Sequence, residues 1–169
     1  MFGDPDKSRI IAWSAACIGL IALGGWISIP FIPVPFTLQT LFVLLTGAVM
    51  KRYAAIPVAL YISLGTLGLP VFHTGMTGPG VLLGPTGGYL IGFIFAALVV
   101  GLAYEQGSKY FHIAGIVLGT IIIYLFGVAW LILSLRMGLV PAFVAGVLPF
   151  VIGDVIKAGA AYLIAERLP

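Results

Sequence analysis

Charged residues are scarce in this chain of 169 residues. Asp, Glu, Lys and Arg together make up 8% of it, whereas 62% is hydrophobic and the mean hydropathy is +1.22. A soluble domain needs a polar surface, and this composition has almost nothing to build one from. The net charge of +3 comes from basic residues scattered along the chain, which argues against a nucleic-acid-binding protein.

Cysteine and histidine are also rare. Cys17 is the only cysteine and lies in an apolar run, so we expect a small buried side chain and neither an internal disulfide nor a metal-binding cysteine pair. His73 and His112 are far apart in sequence, and no nucleophile accompanies them. We therefore predict that both histidines face solvent and that the protein uses neither a metal nor a cofactor.

Long apolar runs predict an all-α membrane protein. About six spans of roughly 20 residues fit into this length, which leaves no room for a soluble catalytic domain. The first run follows Lys7 and Arg9, as in a signal peptide, but it is longer than the apolar core of one, so we expect a retained span. The predicted spans form one compact bundle over residues 1–169 and cover residues 10–29, 37–50, 54–68, 89–104, 113–135 and 141–165.

The basic residues predict how this bundle is oriented. If the N-terminus is inside, only Arg136 lies on the outer side, as the positive-inside rule requires. The basic residues on the cytoplasmic side are then Lys7, Arg9, Lys51, Arg52, Lys109 and Arg167. We expect a multi-pass protein of the cell membrane, surrounded by lipid, with both termini in the cytoplasm. The two halves share no broken-helix pattern, so no inverted repeat is predicted.

Two opposite charges lie inside the last predicted span. Asp154 and Lys157 are three residues apart and therefore share one face of a helix. Ionisable groups at bilayer depth cost a few kcal/mol and usually mark a functional site, although a structural ion pair between helices is the alternative. A stripe at intervals of three and four points Lys157 into the bundle; it consists of Gly146, Phe150, Gly153, Lys157 and Ala160. The pair suits a ligand with N–H groups beside a carbonyl, such as a cyclic urea or amide.

Two uncharged segments complete the candidate site. Residues 69–88 contain six glycines and three prolines and form either a connecting loop or a lid, in which Tyr89 stacks on a flat ligand and Thr86 donates a hydroxyl. Gln39 follows a proline-rich link at 30–36 and contacts either the ligand or a neighbouring helix. Phe36 and Gly87 are the remaining candidate ligand-binding residues.

The first span carries small residues four apart. Ala12 and Ala16 form such a pair, and so do Ala15 and Gly19. A face of this kind lets another helix approach closely. From the pattern alone we favour packing within the chain, and docking of a partner helix is the alternative.

Three motifs together carry a family resemblance. They are IPVPFTLQT at 32–40, LGPTGGYL at 83–90 and GDVIK at 153–157, in this order along the chain. With them, nearly the whole chain resembles BioY-type biotin transporters, the substrate-binding (S) components of energy-coupling factor (ECF) transporters.

The resemblance implies a specific ligand and specific partners. It implies six helices, a biotin pocket in the outer half, and binding of the ureido ring by Asp154 and Lys157. It also implies that Ala12 and Ala16 dock onto a membrane-embedded coupling protein (T component), which two cytoplasmic ATPases drive. The biotin carboxylate needs a separate donor, for which Arg136 and the backbone N–H groups of the glycine-rich segment are both candidates.

Three other functions remain open at this point. A related S component would bind another vitamin, such as thiamine or riboflavin. An intramembrane enzyme would use Asp154 and Lys157 as an acid–base couple, but no nucleophile, metal set or cofactor motif accompanies them. A purely structural subunit would bind no small molecule. The chain has no ATPase motif, so we expect a transport component and not an enzyme.

Overall fold

The computed structural model of the chain describes residues 5–168, and α-helices dominate it. They are α1 (Pro5–Trp26), α2 (Gln39–Met50), α3 (Ala55–Thr66), α4 (Pro79–Leu83), α5 (Gly87–Tyr104), α6 (Lys109–Leu135), α7 (Leu139–Gly146) and α8 (Val151–Ala165). Each of the six predicted apolar spans overlaps at least one of these helices. The prediction of a mainly helical protein is therefore confirmed.

The helices differ in whether they are long enough to cross a bilayer alone. Among the described residues, α1, α5 and α6 are long and apolar enough, and the bent pair of α7 and α8 adds a fourth candidate. The helices α2 and α3 have 12 residues each. At 1.5 Å per residue each is about 18 Å long, less than the roughly 30 Å of hydrocarbon. The spans predicted at 37–50 and 54–68 are already shorter than about 20 residues, and their helices are shorter still.

The predicted span at 141–165 is not one continuous helix. It is interrupted between Gly146 and Val151, and the two helices meet at 52°. Pro149 lies in this interruption. Because proline lacks an N–H and disfavours helical backbone at the residue before it, the helix cannot run through. The predicted last span therefore consists of two helices joined at a bend.

A short hairpin follows the first helix. The span predicted to reach residue 29 ends as helix at Trp26, and Ser28–Ile29 then pairs antiparallel with Phe36–Thr37. The proline-rich link forms the loop of this hairpin. Trp26 donates its indole N–H to the Pro70 carbonyl at 2.9 Å, which ties the end of α1 to the glycine-rich segment. Strands of two residues are too short to show the alternating pattern that predicts a strand.

The glycine-rich segment has structure of its own. It contains α4 and a 3₁₀ turn at His73–Gly75. Phe72 is fully buried and meets the Tyr61 ring edge-on, with 5.6 Å between centroids. A Cβ at Gly65 would lie 2.4 Å from the Phe72 ring, so the absence of a side chain there makes room for it. The segment is therefore anchored onto α3.

The centre of the bundle is α5, which packs against α2, α3 and α6. Close approach depends on glycine: a Cβ at Gly101 would lie 2.1 Å from the Lys51 carbonyl oxygen, at the end of α2. On the other side, α1 packs onto α2 and α3 and buries Cys17 and Ile21. The prediction of a buried Cys17 is confirmed.

Candidate functional site

The two charges of α8 lie inside the bundle. Asp154 is 4% exposed and Lys157 is 5% exposed, and Lys157 Nζ donates to Asp154 Oδ1 at 2.8 Å. The buried positions of this face are Phe150, Asp154, Lys157 and Ala161, so Phe150 and Lys157 of the predicted stripe are buried as expected. Gly153 and Ala160 are half-buried instead. Gly146 is buried too, but it belongs to α7 because the helix is interrupted before Val151.

The Asp154 carboxylate joins three helices. Thr40 of α2 donates to Oδ1 at 3.0 Å, and Tyr124 of α6 donates to Oδ2 at 2.5 Å. With the bond from Lys157, Oδ1 accepts two hydrogen bonds and Oδ2 accepts one. A carboxylate has about four acceptor positions, so one position on Oδ2 remains for a further donor.

The Lys157 ammonium also has donors to spare. It lies 3.8 Å from the centroid of the Phe36 ring, which stabilises its charge by a cation–π interaction. The Phe36 ring in turn stacks on Phe150, with 6.0 Å between centroids. An ammonium carries three N–H donors, and Asp154 occupies one of them. The pair can therefore accept and donate at the same time.

The pair lies on the wall of a small cavity of about 50 Å³. The cavity is bounded by the hairpin, the glycine-rich segment and four of the helices. Its polar lining residues are Thr37, Gln39, Thr40, His73, Thr86, Tyr89, Tyr124, Asp154 and Lys157. Its apolar lining residues are Val34, Pro35, Phe72, Leu90, Phe93, Ile123 and Phe150.

Three predicted ligand-binding residues line this cavity: Gln39, Tyr89 and Thr86. Gln39 Nε2 donates to the Tyr61 hydroxyl at 2.5 Å, so it does bond a neighbouring helix while facing the cavity. The Tyr89 hydroxyl donates to the Gly146 carbonyl at 2.8 Å, which fixes the ring in place. Thr86 is half-buried at the cavity wall.

Three other predicted residues do not line the cavity: Gly87, Arg136 and Phe36. A Cβ at Gly87 would lie 1.8 Å from the Leu82 carbonyl oxygen, so Gly87 permits the close turn between α4 and α5. Arg136 is exposed between α6 and α7 and is not part of the lining. Phe36 acts on the site through its contact with Lys157.

Sequence reasoning missed Thr40 and Tyr124. Thr40 is the last residue of the proline-rich motif, and Tyr124 is a hydroxyl-bearing side chain in the middle of an apolar helix. A buried tyrosine usually has a hydrogen-bond partner, so its position alone was a usable signal. Which partner it meets depends on the packing of α6 against α8.

A larger groove of about 770 Å³ lies at the opposite end of the bundle. There Arg52 Nε is 2.6 Å from Glu105, and His112 Nδ1 is 2.7 Å from Glu166. The hydrogen bond from Arg52 holds the pKa of the Glu105 carboxyl below its usual value. His112 belongs to α6 and stacks on Tyr104, with ring centroids 4.0 Å apart. The prediction that it faces solvent is therefore wrong, and His73 is likewise half-buried.

The small residues of α1 face outward. Ala12 and Ala16 are exposed, whereas Ser14 and Cys17 point into the bundle. Packing of Ala12 and Ala16 within the chain, which the pattern alone favoured, is therefore wrong for this structure. The small-residue face is open to the surroundings of the bundle.

Fold and composition together define a helical membrane protein with a buried ion pair beside a small polar cavity. The chain belongs to the BioY family, whose model matches residues 4–169. It is 48% identical over 151 residues to the biotin transporter BioY of Thermotoga maritima, covering 88% of this chain and 89% of that protein. A probable biotin transporter BioY of Pyrococcus horikoshii is 39% identical over 163 residues, covering 96% and 97%.

A solved structure shows the same fold. The crystal structure of the S component for biotin from an ECF-type ABC transporter matches with a TM-score of 0.87 and 28% identity, covering 99% of this chain and 94% of that one. The relatives are transport components. The prediction of a transport component instead of an enzyme is thus confirmed by the family.

Proposed function

We propose that this protein captures biotin as the S component of an ECF-type transporter. The observation that carries the proposal is the buried pair of Asp154 and Lys157, which keeps one acceptor position and two donors free at the wall of a small cavity. The names of its relatives point to the same ligand.

The ureido ring of biotin carries a donor and an acceptor that complement the free hydrogen-bonding positions of this pair. Its N–H donates to Asp154 Oδ2, and its carbonyl accepts from Lys157. The rest of the bicyclic ring is apolar and suits the aromatic and aliphatic side chains of the lining, such as Tyr89 and Phe93. Because Asp154 and Lys157 already pair with each other, ligand binding does not have to bury an unpaired charge.

The cavity has to widen before the ligand enters. Pockets for ligands of this size hold roughly 300–1,000 Å³, far more than the cavity has in this structure. The glycine-rich segment contributes His73 and Thr86 to the wall and carries left-handed glycines at Gly75 and Gly78. We assign it the role of a lid that moves as the ligand enters.

We place the protein in the plasma membrane. The proposed topology has six spans, with both termini in the cytoplasm. It is supported by the basic residues, which gather at the end of the bundle opposite to the cavity. Single cysteines at Ser108 and Thr77, in a Cys17→Ala background, test it. A membrane-impermeant thiol reagent added to whole cells should label the cysteine at Thr77 and not the one at Ser108. The reverse labelling would invert the topology.

The proposed partners are a T component and two cytoplasmic ATPases. The exposed pair Ala12 and Ala16 offers a helix the close approach that such docking needs. Replacing both by leucine should abolish biotin uptake in cells that hold the complete transporter, while biotin binding to the purified protein is retained. The matched control is Ala114→Leu, because Ala114 is also exposed but lies on α6. Equal uptake in both variants would exclude this docking face.

Equilibrium binding of labelled biotin to the purified protein tests the proposed ligand. We expect saturable binding that an excess of thiamine or riboflavin does not displace. Asp154→Asn should weaken binding by about tenfold or more, because a charge-assisted hydrogen bond is lost in a buried site. A folded Asp154→Asn variant with unchanged affinity, or displacement by another vitamin, would contradict the proposal.

A further inference from the structure

We propose that His73 binds the carboxylate of the ligand's side chain, so that the site recognises an elongated molecule at both of its polar ends. This inference rests on the proposed function, and it concerns the part of biotin that Asp154 and Lys157 do not contact.

The charged groups of the cavity favour His73 as the side chain that binds the ligand carboxylate. A carboxylate needs a donor, and it is repelled near Asp154. Among the described lining residues, Lys157 and His73 are the side chains that can carry positive charge. Lys157 is already bonded to Asp154. Of these two side chains, His73 is the one that no protein carboxylate contacts.

The backbone places His73 on the cavity wall within a hydrogen-bonded turn. The turn is closed by hydrogen bonds from the Gly75 N–H to the Phe72 carbonyl at 3.0 Å and from the Met76 N–H to the His73 carbonyl at 3.1 Å. The fully buried Phe72 anchors it on one side. On the other side α1 packs against it, since a Cβ at Gly25 would lie 3.4 Å from the His73 nitrogen.

The imidazole itself is half-buried and lines the cavity. No described residue donates a hydrogen bond to its ring or accepts one from it. A ligand group can therefore bond to it without displacing a protein partner. Its turn packs against α1, and His73 shares the cavity lining with Asp154 and Lys157, so one elongated ligand can contact all three.

Protonation gives this contact a measurable signature. Burial lowers the pKa of His73, so the ring is neutral at pH 7 in the free protein. A carboxylate beside it favours the charged form, so binding takes up a proton and the affinity for a carboxylate ligand rises as the pH falls through the pKa of His73 in the complex. The other titratable groups facing the cavity are Tyr89, Tyr124, Asp154 and Lys157. The α1 end that packs on the turn, residues 23–26, has none.

The experiment compares biotin with biotinamide, whose side chain is uncharged, on the purified wild type and on His73→Gln. We expect the wild type to prefer biotin by about tenfold, the size of one charge-assisted hydrogen bond. His73→Gln should lose that preference and its pH dependence while binding biotinamide as the wild type does. His112→Gln, the same change at the opposite end of the bundle, should keep both.

The outcomes separate this inference from the proposed function. If the wild type binds biotin and biotinamide equally, or His73→Gln retains the preference, the role of His73 is excluded while biotin capture stands. If the wild type binds neither, the proposed function itself fails. Thermal midpoints of both variants within a few degrees of the wild type show that the comparison is made on folded protein.

Discussion

At one end of the bundle, oppositely charged side chains pair at the surface, whereas the pair of Asp154 and Lys157 is buried in its interior. Arg52 and Glu105 meet with Arg52 mostly in water, its side chain 65% exposed. Asp154 and Lys157 meet with side chains only 6% exposed and are tied to two further helices. The distances of the two pairs are similar, so distance does not separate them. Burial does, because removing charges from water costs several kcal/mol that only good partners offset.

The cavities show the same contrast. The groove at the charged end is about fifteen times larger than the closed cavity beside the buried pair. Its Glu105 and Glu166 are occupied by Arg52 and His112. The small cavity holds the donors and the acceptor that remain free. Unoccupied hydrogen-bonding capacity on a buried charge, and not volume, therefore identifies the candidate site.

The largest expected effect comes from removing the buried cation. Lys157→Met leaves the Asp154 carboxylate in the bundle with no opposite charge and should destabilise the fold by about 3–5 kcal/mol. Chemical unfolding in mixed micelles measures this. The matched control is Lys109→Met at the exposed start of α6, which should change stability little. Equal stability of both variants would mean that the buried pair is not a structural element.

A smaller effect is expected from the hydroxyl that holds the carboxylate. Tyr124→Phe removes the bond to Asp154 Oδ2, and a hydrogen bond to a charged group is worth about 1.5–3 kcal/mol. We expect biotin affinity to fall several-fold in equilibrium binding, because the carboxylate loses its fixed orientation. Tyr104→Phe is the control, since in the described part of the chain the Tyr104 hydroxyl is buried without a partner. An equal loss in both variants would argue against a role through Asp154.

The smallest effect is expected at the surface pair. Arg52→Gln should leave biotin affinity unchanged and lower the thermal midpoint only slightly, and less so in high salt. Because Arg52 lowers the pKa of Glu105, the pair stabilises the fold above the ordinary glutamate value of 4.5. That difference from the wild type should disappear as the pH falls through the lowered pKa. A large drop in the thermal midpoint at pH 7 that does not depend on salt would contradict the contrast between the surface pair and the buried pair.

Composition and motif spacing predicted the class of fold and the centre of the site. Asp154 and Lys157 share a face because a helix brings residues three apart together, which needs no knowledge of the rest of the fold. The long apolar runs likewise predicted α5 and α6 near their observed bounds. Both conclusions depend on local sequence alone.

Contacts between distant segments were not predictable in this way. Thr40 and Tyr124 reach Asp154 from α2 and α6, and their approach depends on how three helices pack. The exposure of Ala12 and Ala16 is also a property of the packed bundle, since small residues suit internal and external helix contacts equally. The hairpin after α1 escaped prediction because two-residue strands leave no periodic pattern.

The interruption at Pro149 has an electrostatic consequence. In an unbroken helix Asp154 would lie far from either terminus, where all backbone N–H groups are bonded. Because α8 begins anew at Val151, Asp154 lies in the first turn of a helix. The partial positive charge of that terminus favours an anion there, and within hydrocarbon little water screens it. One proline thus gives a membrane-embedded acid a second source of positive potential beside its lysine.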